Sequence, residues 1–214
     1  MLKNKEIVLI VTGGIAAYKS VEILRQLTKL GARIKVVMTL NAQKFITPLT
    51  FQTLSKNPVI TDMFNLFETS LIPHISLADW AKLVLIAPAT ANIIGKVASG
   101  IADDLPTTLI MSTKAPILFA PAMNVKMWNN PIVAENVQRL RGYGYHFVEP
   151  EYGALASGLV AQGRLAAVEG ILATVAEVLT VSTELSGKRV LVTAGRTEEG
   201  LDPVRFLTNR STGK

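Results

Sequence analysis

The sequence contains no cysteine and only two histidines, His74 and His146, among its 214 residues. The lack of cysteine excludes disulfides, thiolate nucleophiles, and zinc or iron–sulfur sites with cysteine ligands. Histidine is the other common zinc ligand, so a count of two also argues against a metal site. We therefore expect no bound metal in this protein.

The sequence also lacks a clustered basic surface and a long apolar run. Its net charge is +6, but aromatic residues make up only 6%, and basic residues are not concentrated beside them as in nucleic-acid-binding proteins. The apolar run Ile7–Val11 is too short to span a bilayer, and no cleavable signal peptide is visible. We expect a cytoplasmic protein that binds small anionic molecules, not nucleic acid or membranes.

Short continuous apolar segments are abundant, and apolar residues make up 49% of the chain. Glu6–Val11, Ile34–Met38, Leu83–Ala87 and Ile117–Ala120 are typical of strands buried on both faces of a parallel sheet. Helical patterns alternate with them, as over Ala91–Ala98. This alternation predicts an α/β fold, a doubly wound, Rossmann-like or flavodoxin-like parallel sheet with helices on both faces. Further predicted features are a helix C-cap at Gly31, helices starting at Pro48 and Pro131, a strand over Tyr145–Val148 and a helix over Ile171–Leu179.

Three segments that follow predicted strands carry glycine, threonine or asparagine. Thr12–Ala16 contains two glycines that allow close approach of an anion, although it does not match G-x-G-x-x-G and a simple tight turn is an equal alternative. Thr39–Ala42 could bind a phosphate or ribityl group, or could only cap the next helix. Ala87–Lys96 joins small residues, which admit a planar ligand, to a threonine and an asparagine at a helix start.

Two further segments could contribute chemistry. In Pro121–Trp128, Asn124 lies among methionines and a tryptophan, which suits recognition of a carboxylate by hydrogen bonds in an apolar pocket. A buried Met/Trp cluster with a capping asparagine is the alternative. His74 lies beside apolar residues, where a single histidine is usually structural.

Together these segments resemble the homo-oligomeric flavin-containing cysteine decarboxylases, among them the bifunctional phosphopantothenoylcysteine decarboxylase/phosphopantothenate–cysteine ligases of coenzyme A biosynthesis. The resemblance is carried by Gly13–Lys19, His74, Pro88–Asn92, Pro121–Trp128 and Gly153–Arg164. The pattern Pro-Ala-Met-Asn-x-x-Met-Trp is specific to that family, and the resemblance covers essentially the whole chain.

The resemblance implies that FMN is the cofactor and that it oxidises the substrate thiol before carbon dioxide is lost. The implied cofactor-binding residues are Gly14, Ile15, Thr39, Asn41, Thr90, Ala91, Asn92 and Ala122. The implied catalytic residues are His74, Asn124 and Ser157, and the implied substrate-binding residues are Asn124, Met127, Ala156 and Arg164. The implied assembly is a homotrimer or homododecamer with the flavin site between subunits.

Ser157 departs from the family pattern, because it stands where the family carries a cysteine that donates the last proton. A serine hydroxyl is far less acidic than a thiol, so a simple replacement predicts a slow final reduction and accumulation of the enethiol. An oxidative peptidyl-cysteine decarboxylase, which stops at the enethiol, is therefore an alternative, and a non-catalytic flavin-binding regulatory subunit is another.

The resemblance also implies a domain organisation for the chain. It implies an FMN-binding decarboxylase domain over residues 1–180, a linker over 181–187, and the truncated start of a ligase domain over 188–214. Since most of that second domain is absent, we expect no ligase activity from this chain.

Overall fold

The computed structural model describes residues 2–64, 73–154, 156, 158–180, 191 and 198–208. The chain forms two compact units, Met1–Thr180 and Val181–Lys214. Among the described residues, no helix is long and apolar enough to cross a membrane.

The first unit is built on a six-stranded parallel sheet with the strand order β3-β2-β1-β4-β5-β6. Its strands are β1 (Glu6–Val11), β2 (Arg33–Met38), β3 (Val59–Ile60), β4 (Leu83–Ala89), β5 (Ile117–Pro121) and β6 (His146–Phe147). Every residue of β4 and β5 is buried, as their continuous apolar sequences predict. The order reverses direction between β1 and β4, which is the arrangement of a doubly wound sheet.

Helices cover both faces of this sheet. They are α1 (Lys19–Lys29), α2 (Pro48–Ser55), α3 (Pro73–Trp80), α4 (Ala91–Ala98), α5 (Leu105–Ser112), α6 (Val125–Trp128), α7 (Pro131–Gly142) and α8 (Val168–Thr180). Two apolar clusters result, because successive strand residues point to opposite faces. In β1, Ile7, Leu9 and Val11 pack with α1 and α8, whereas Val8 and Ile10 pack with α3, α4 and α5. The predicted doubly wound α/β fold is confirmed.

Local signals set several element ends. Helix α1 ends at Lys29 in a Schellman motif: Gly31, two residues later, has a φ of +87°, and the Ala32 N–H donates to the Leu27 carbonyl. Asn130 caps α7, since its side chain accepts the Ile132 N–H at 2.9 Å. The predicted bounds of β1 and α4 are confirmed, and the predicted β6 is shortened to two residues at the sheet edge. Helices α3 and α5 and an antiparallel hairpin, β7 (Glu151–Ala154) and β8 (Val160–Arg164), were not predicted from the sequence.

The described part of the second unit is an antiparallel pair, β9 (Glu198–Gly200) and β10 (Phe206–Thr208). Asp202 organises the connection, because its side chain accepts the N–H groups of Val204 and Arg205 at 2.9 and 2.7 Å. The predicted linker 181–187 lies outside the described residues, and the predicted domain bounds stay predictions.

Candidate functional site

A cavity of about 1070 Å³ opens at the carboxyl edge of the parallel sheet. The segments that follow β1, β2, β4 and β5 form much of its wall, and the β7–β8 hairpin adds to it. It includes the point between β1 and β4 where the strand order reverses, which is where doubly wound sheets bind ligands. The predicted cofactor- and substrate-binding residues all line this cavity: Gly14, Ile15, Thr39, Asn41, Thr90, Ala91, Asn92, Ala122, Asn124, Met127, Ala156 and Arg164.

Thr12 joins the turn after β1 to the end of β4. Its side chain is buried, and its hydroxyl donates to the Pro88 carbonyl at 2.6 Å and accepts the Thr90 N–H at 3.2 Å. A buried hydroxyl with both roles filled stabilises the pairing of the two segments. Thr12 was not among the predicted site residues, although it holds two of the predicted binding segments in register.

Gly13 brings the first turn against the loop after β2. A Cβ atom on Gly13 would lie 2.4 Å from Cβ of Asn41 and 2.8 Å from its backbone carbon, so only glycine permits this approach. Thr39 caps the short 3-10 helix Ala42–Lys44, because its hydroxyl accepts the Ala42 N–H at 3.1 Å. Asn41 makes no capping bond and is exposed. The capping interpretation therefore holds for Thr39 and not for Asn41.

Thr90 and Asn92 stand at the start of α4. Thr90 occupies the N-cap position with extended backbone, yet its side chain makes no capping hydrogen bond. Its hydroxyl is 3.5 Å from that of Thr12, and Asn92 is exposed at the cavity. Thr90, the small Ala91 and Asn92 therefore lie together at the cavity wall.

Asn124 begins α6 and lines the cavity. Its Oδ1 accepts the Lys126 N–H at 2.9 Å, so the asparagine caps the helix as the structural alternative proposed. The methionines and the tryptophan around Asn124 lie in different environments. Met123 and Trp128 pack on the apolar core, whereas Met127 is 47% exposed and lines the cavity. The capping bond fixes the orientation of the amide, which a substrate-binding role also requires.

The β7–β8 hairpin contacts the Asn124 loop through Gly163. The Met123 N–H donates to the Gly163 carbonyl at 3.0 Å, and a Cβ atom on Gly163 would lie 2.3 Å from the Met123 carbonyl oxygen. The hairpin places Ala156 and Arg164 at the cavity. Ser157, the predicted catalytic residue of this hairpin, lies outside the described residues.

His74 lies in the first turn of α3 and does not line the cavity. Its Nδ1 is buried and has no hydrogen-bond partner among the described residues. Buried side-chain nitrogens are normally paired, so this atom is an exception within the described part of the chain. The cavity of a single chain therefore brings together the predicted binding residues without His74.

Charged residues that the sequence analysis did not identify form one wall of the cavity. The Lys96 ammonium lies 2.7 Å from the Asp103 carboxylate and 3.1 Å from that of Asp104. The hydrogen bond to Asp103, supported by Asp104, raises the pKa of Lys96 despite the opposing effect of burial. Burial alone would raise the pKa of Asp104, but hydrogen bonds from Thr107 and the charge of Lys96 lower it overall.

A signal for part of this wall is present in the sequence. Asp104 and Thr107 form a capping box at the start of α5, in which each side chain accepts the other residue's N–H. The spacing Asp-x-x-Thr before an apolar run could have identified that helix. The contact of Lys96 with the two aspartates could not be predicted from the local sequence, because it depends on the turn between α4 and α5.

Lys19 is a second cation that the sequence analysis did not assign to the site. It starts α1, lines the cavity and is half-buried. Burial lowers the pKa of Lys19, the charge of Arg164 lowers it further, and Glu151 partly offsets both. Among the described residues, no group of three or more acidic or histidine side chains is placed to hold a metal ion.

Two known protein families match this chain. The profile of the family described as "Flavoprotein" matches residues 1–180, and that of the "DNA/pantothenate metabolism flavoprotein C-terminal domain" matches residues 185–214. The "Coenzyme A biosynthesis bifunctional protein CoaBC" of Bacillus subtilis is 49% identical over 216 residues, which cover 100% of this chain and 53% of that protein. The chain thus spans about half the length of the curated relatives it matches.

Two solved structures share the fold at 30% sequence identity. A cysteine-to-serine mutant of PPC decarboxylase complexed with pantothenoylaminoethenethiol aligns with a TM-score of 0.76 and covers 82% of this chain and 98% of its own. The FMN-dependent cysteine decarboxylase SpaF aligns with a TM-score of 0.72 and covers 81% and 96%. With a family profile that matches 180 of its 214 residues, this chain belongs to the flavoprotein family.

Proposed function

We propose that this chain binds FMN and decarboxylates 4'-phosphopantothenoylcysteine to 4'-phosphopantetheine, a step of coenzyme A biosynthesis. The observation that carries the proposal is the single cavity lined by every described residue that the family resemblance assigns to cofactor or substrate. The 49% identity to a bifunctional coenzyme A biosynthesis protein and the fold shared with PPC decarboxylase support the same reaction.

The cavity residues fit FMN. Gly13 lets the first turn approach Asn41 without a side chain between them, and Gly14 has room beside it, since a Cβ there would meet only Thr90 at 3.6 Å. Backbone N–H groups of this turn and the Thr39 hydroxyl suit the phosphate, and Thr90 with Asn92 suits the polar groups of the flavin. FMN, when bound, supplies the hydride transfer that oxidises the substrate and later reduces it.

We assign to Asn124 the binding of the substrate carboxylate. An amide donor orients a carboxylate without a full positive charge, and a carboxylate held by an ion pair would be stabilised against loss of carbon dioxide. The Oδ1 atom of Asn124 accepts the Lys126 N–H, which orients the amide group, and an amide nitrogen is a hydrogen-bond donor that suits a carboxylate. The substrate is thus held by hydrogen bonds in a partly apolar pocket.

His74 is assigned to proton transfer at the substrate. Because it does not line the cavity of one chain, the assignment requires a site completed by a second subunit, and we propose a homotrimer or a homododecamer. We place the protein in the cytoplasm, where coenzyme A precursors are small soluble acids.

The domain assignment is also a proposal. Residues 1–180 form the decarboxylase domain, 181–187 the linker and 188–214 the start of a ligase domain, in agreement with the matched ranges 1–180 and 185–214. Ligase activity is not assigned to this chain.

The oxidative peptidyl-cysteine decarboxylase remains a second candidate because of Ser157. The solved cysteine-to-serine mutant of PPC decarboxylase is described as holding an ethenethiol compound, which is the kind of product expected when the final reduction fails. Product mass separates the two: a peptide substrate that loses carbon dioxide and two hydrogens would favour this second candidate, whereas formation of 4'-phosphopantetheine would favour the first. A non-catalytic flavin-binding subunit would give neither product.

The test combines a spectrum with turnover. The purified chain should show flavin absorption bands, and anaerobic phosphopantothenoylcysteine should release carbon dioxide and give a product identified by mass spectrometry. His74→Asn should retain FMN and lose turnover, whereas His146→Asn, a change at an exposed residue of β6, should retain both. Absence of both turnover and bleaching in the parent would overturn the proposal, and equal turnover in both variants would remove His74 from it.

A further inference from the structure

Two cations at the cavity, Lys19 and Arg164, form no ion pair with any residue that the structure describes. Lys19 begins α1, and Arg164 ends β8, 145 positions later in the chain, yet both line the same cavity. Within the described ranges, neither side chain forms a salt bridge or a hydrogen bond. Lys19 is half-buried and Arg164 is exposed at the cavity, so two positive charges face the same opening, which suits the binding of an anion.

Gly153 leaves room for the Arg164 side chain. Gly153, on the facing strand β7, has no side chain, and a Cβ atom there would lie 3.3 Å from both Cδ and Nη1 of Arg164. The guanidinium group therefore lies along the β7 backbone. Gly163, the preceding residue, contacts Met123 and ties the same strand to the Asn124 loop.

Glu151, the acid near Lys19, already accepts a hydrogen bond from the backbone. Glu151 acts on Lys19 only at a distance, and its Oε1 accepts the Ala167 N–H at 2.7 Å. Burial lowers the pKa of Lys19, and the charge of Arg164 lowers it further, as expected for two cations that line one cavity. An anion bound between them would remove their mutual repulsion.

We propose that Lys19 and Arg164 form a phosphate subsite that binds the phosphomonoester of the substrate and selects it over the unphosphorylated compound. The inference rests on the proposed function and names how its substrate is recognised. The two acidic groups of the substrate are then treated differently: Asn124 holds the carboxylate with a neutral amide, and two cations hold the phosphate. A phosphate dianion tolerates paired cations because it takes no part in the loss of carbon dioxide.

The phosphate of FMN is the other source of the same chemistry. The turn at Gly13 and Gly14, with Thr39, already offers that phosphate a separate place on the cavity wall. Arg164 lies on the hairpin that also carries Ala156, a predicted substrate contact, which favours the substrate phosphate.

The experiment compares two substrates in the FMN-loaded chain. Lys19→Gln and Arg164→Gln should each lower kcat/KM for phosphopantothenoylcysteine by roughly 10- to 100-fold, the usual effect of losing a charge-assisted hydrogen bond, with little change for pantothenoylcysteine. Lys19→Arg should recover most of the preference. Lys29→Gln, at the exposed far end of α1, changes the net charge equally and should have no effect.

Binding of FMN and of riboflavin, followed by flavin fluorescence, is the second readout. Unchanged affinity for both in the variants supports the substrate subsite. Weaker FMN binding with unchanged riboflavin binding would assign the pair to the flavin phosphate and overturn the inference, as would equal losses on the two substrates. A parent that processes both substrates equally overturns the inference alone, whereas a parent that processes neither overturns the proposed function.

Discussion

Gly163 connects the β7–β8 hairpin to the loop that carries Asn124, and replacement by alanine tests whether that contact organises the site. Its φ is +137°, a region that side-chain-bearing residues rarely adopt. An added Cβ would lie 2.3 Å from the Met123 carbonyl oxygen, well inside van der Waals contact. The backbone must therefore move, and Met123 and Asn124 must move with it.

The expected loss of stability has two parts. Overpacking of a buried position costs about 1 to 3 kcal/mol, and an unfavourable backbone conformation costs about 1 to 3 kcal/mol. Their sum is at least about 2 kcal/mol, which lowers the Tm of a unit of this size by roughly 4 to 8 °C. The displacement of Asn124 should also reduce decarboxylation in the Gly163→Ala variant.

The assay is thermal unfolding of the FMN-free chain, followed by turnover of the FMN-loaded chain. Gly170→Ala is the matched control, because Gly170 is exposed in α8 with no atom within 4 Å of an added Cβ. It should gain about 0.5 to 1 kcal/mol from the better helix propensity of alanine. A Gly163→Ala variant with the Tm and activity of the parent would show that the contact with Met123 does not constrain the site.

Three further changes test other contacts. Thr12→Val removes hydrogen bonds to Pro88 and Thr90 at constant volume, so it should lower the free energy of unfolding by about 1 to 3 kcal/mol; an unchanged urea midpoint would contradict this role. Gly13→Ala forces Asn41 away and should weaken FMN binding by roughly 5- to 150-fold, measured by flavin fluorescence, if the overpacking cost of about 1 to 3 kcal/mol falls on the bound state; full affinity would show that the Gly13–Asn41 approach is not required. Asp104→Asn should lower stability at neutral pH, since the pKa of Asp104 is lowered in the folded state. Its deficit relative to the parent should be complete above the unfolded pKa of about 3.9 and disappear as pH falls through the lower folded pKa. A deficit that persists unchanged in acid, in denaturation curves across this range, would refute that account.

The candidate site explains why four segments that are weakly informative alone indicate a binding site when they are taken together. Each of the segments at Gly14, Thr39, Thr90 and Asn124 had an ordinary structural explanation on its own. Helix capping accounts for the presence of Thr39, and it accounts for the Oδ1 atom of Asn124. It does not account for Asn41 or Thr90, whose side chains make no capping hydrogen bonds. The sheet brings all four segments to one edge, and there they share a cavity.

The sequence by itself determined the elements whose signals are local. The bounds of β1 and α4 were predicted because continuous apolar runs or helical spacing end at clear turn or cap residues. Helix α5 carried an equally local signal, the Asp104–Thr107 capping box, that could have been used. The β7–β8 hairpin had none, because its strands carry polar and glycine residues in place of an apolar alternation.

Only the tertiary structure decided which distant side chains meet. Lys19 and Arg164 share a cavity wall, and Gly163 touches Met123, because the sheet and the hairpin bring remote segments together. The same packing keeps His74 away from the cavity of a single chain, although the sequence pointed to it. Periodicity and capping act over a few residues and can be read from the chain, whereas these contacts depend on how complete elements pack.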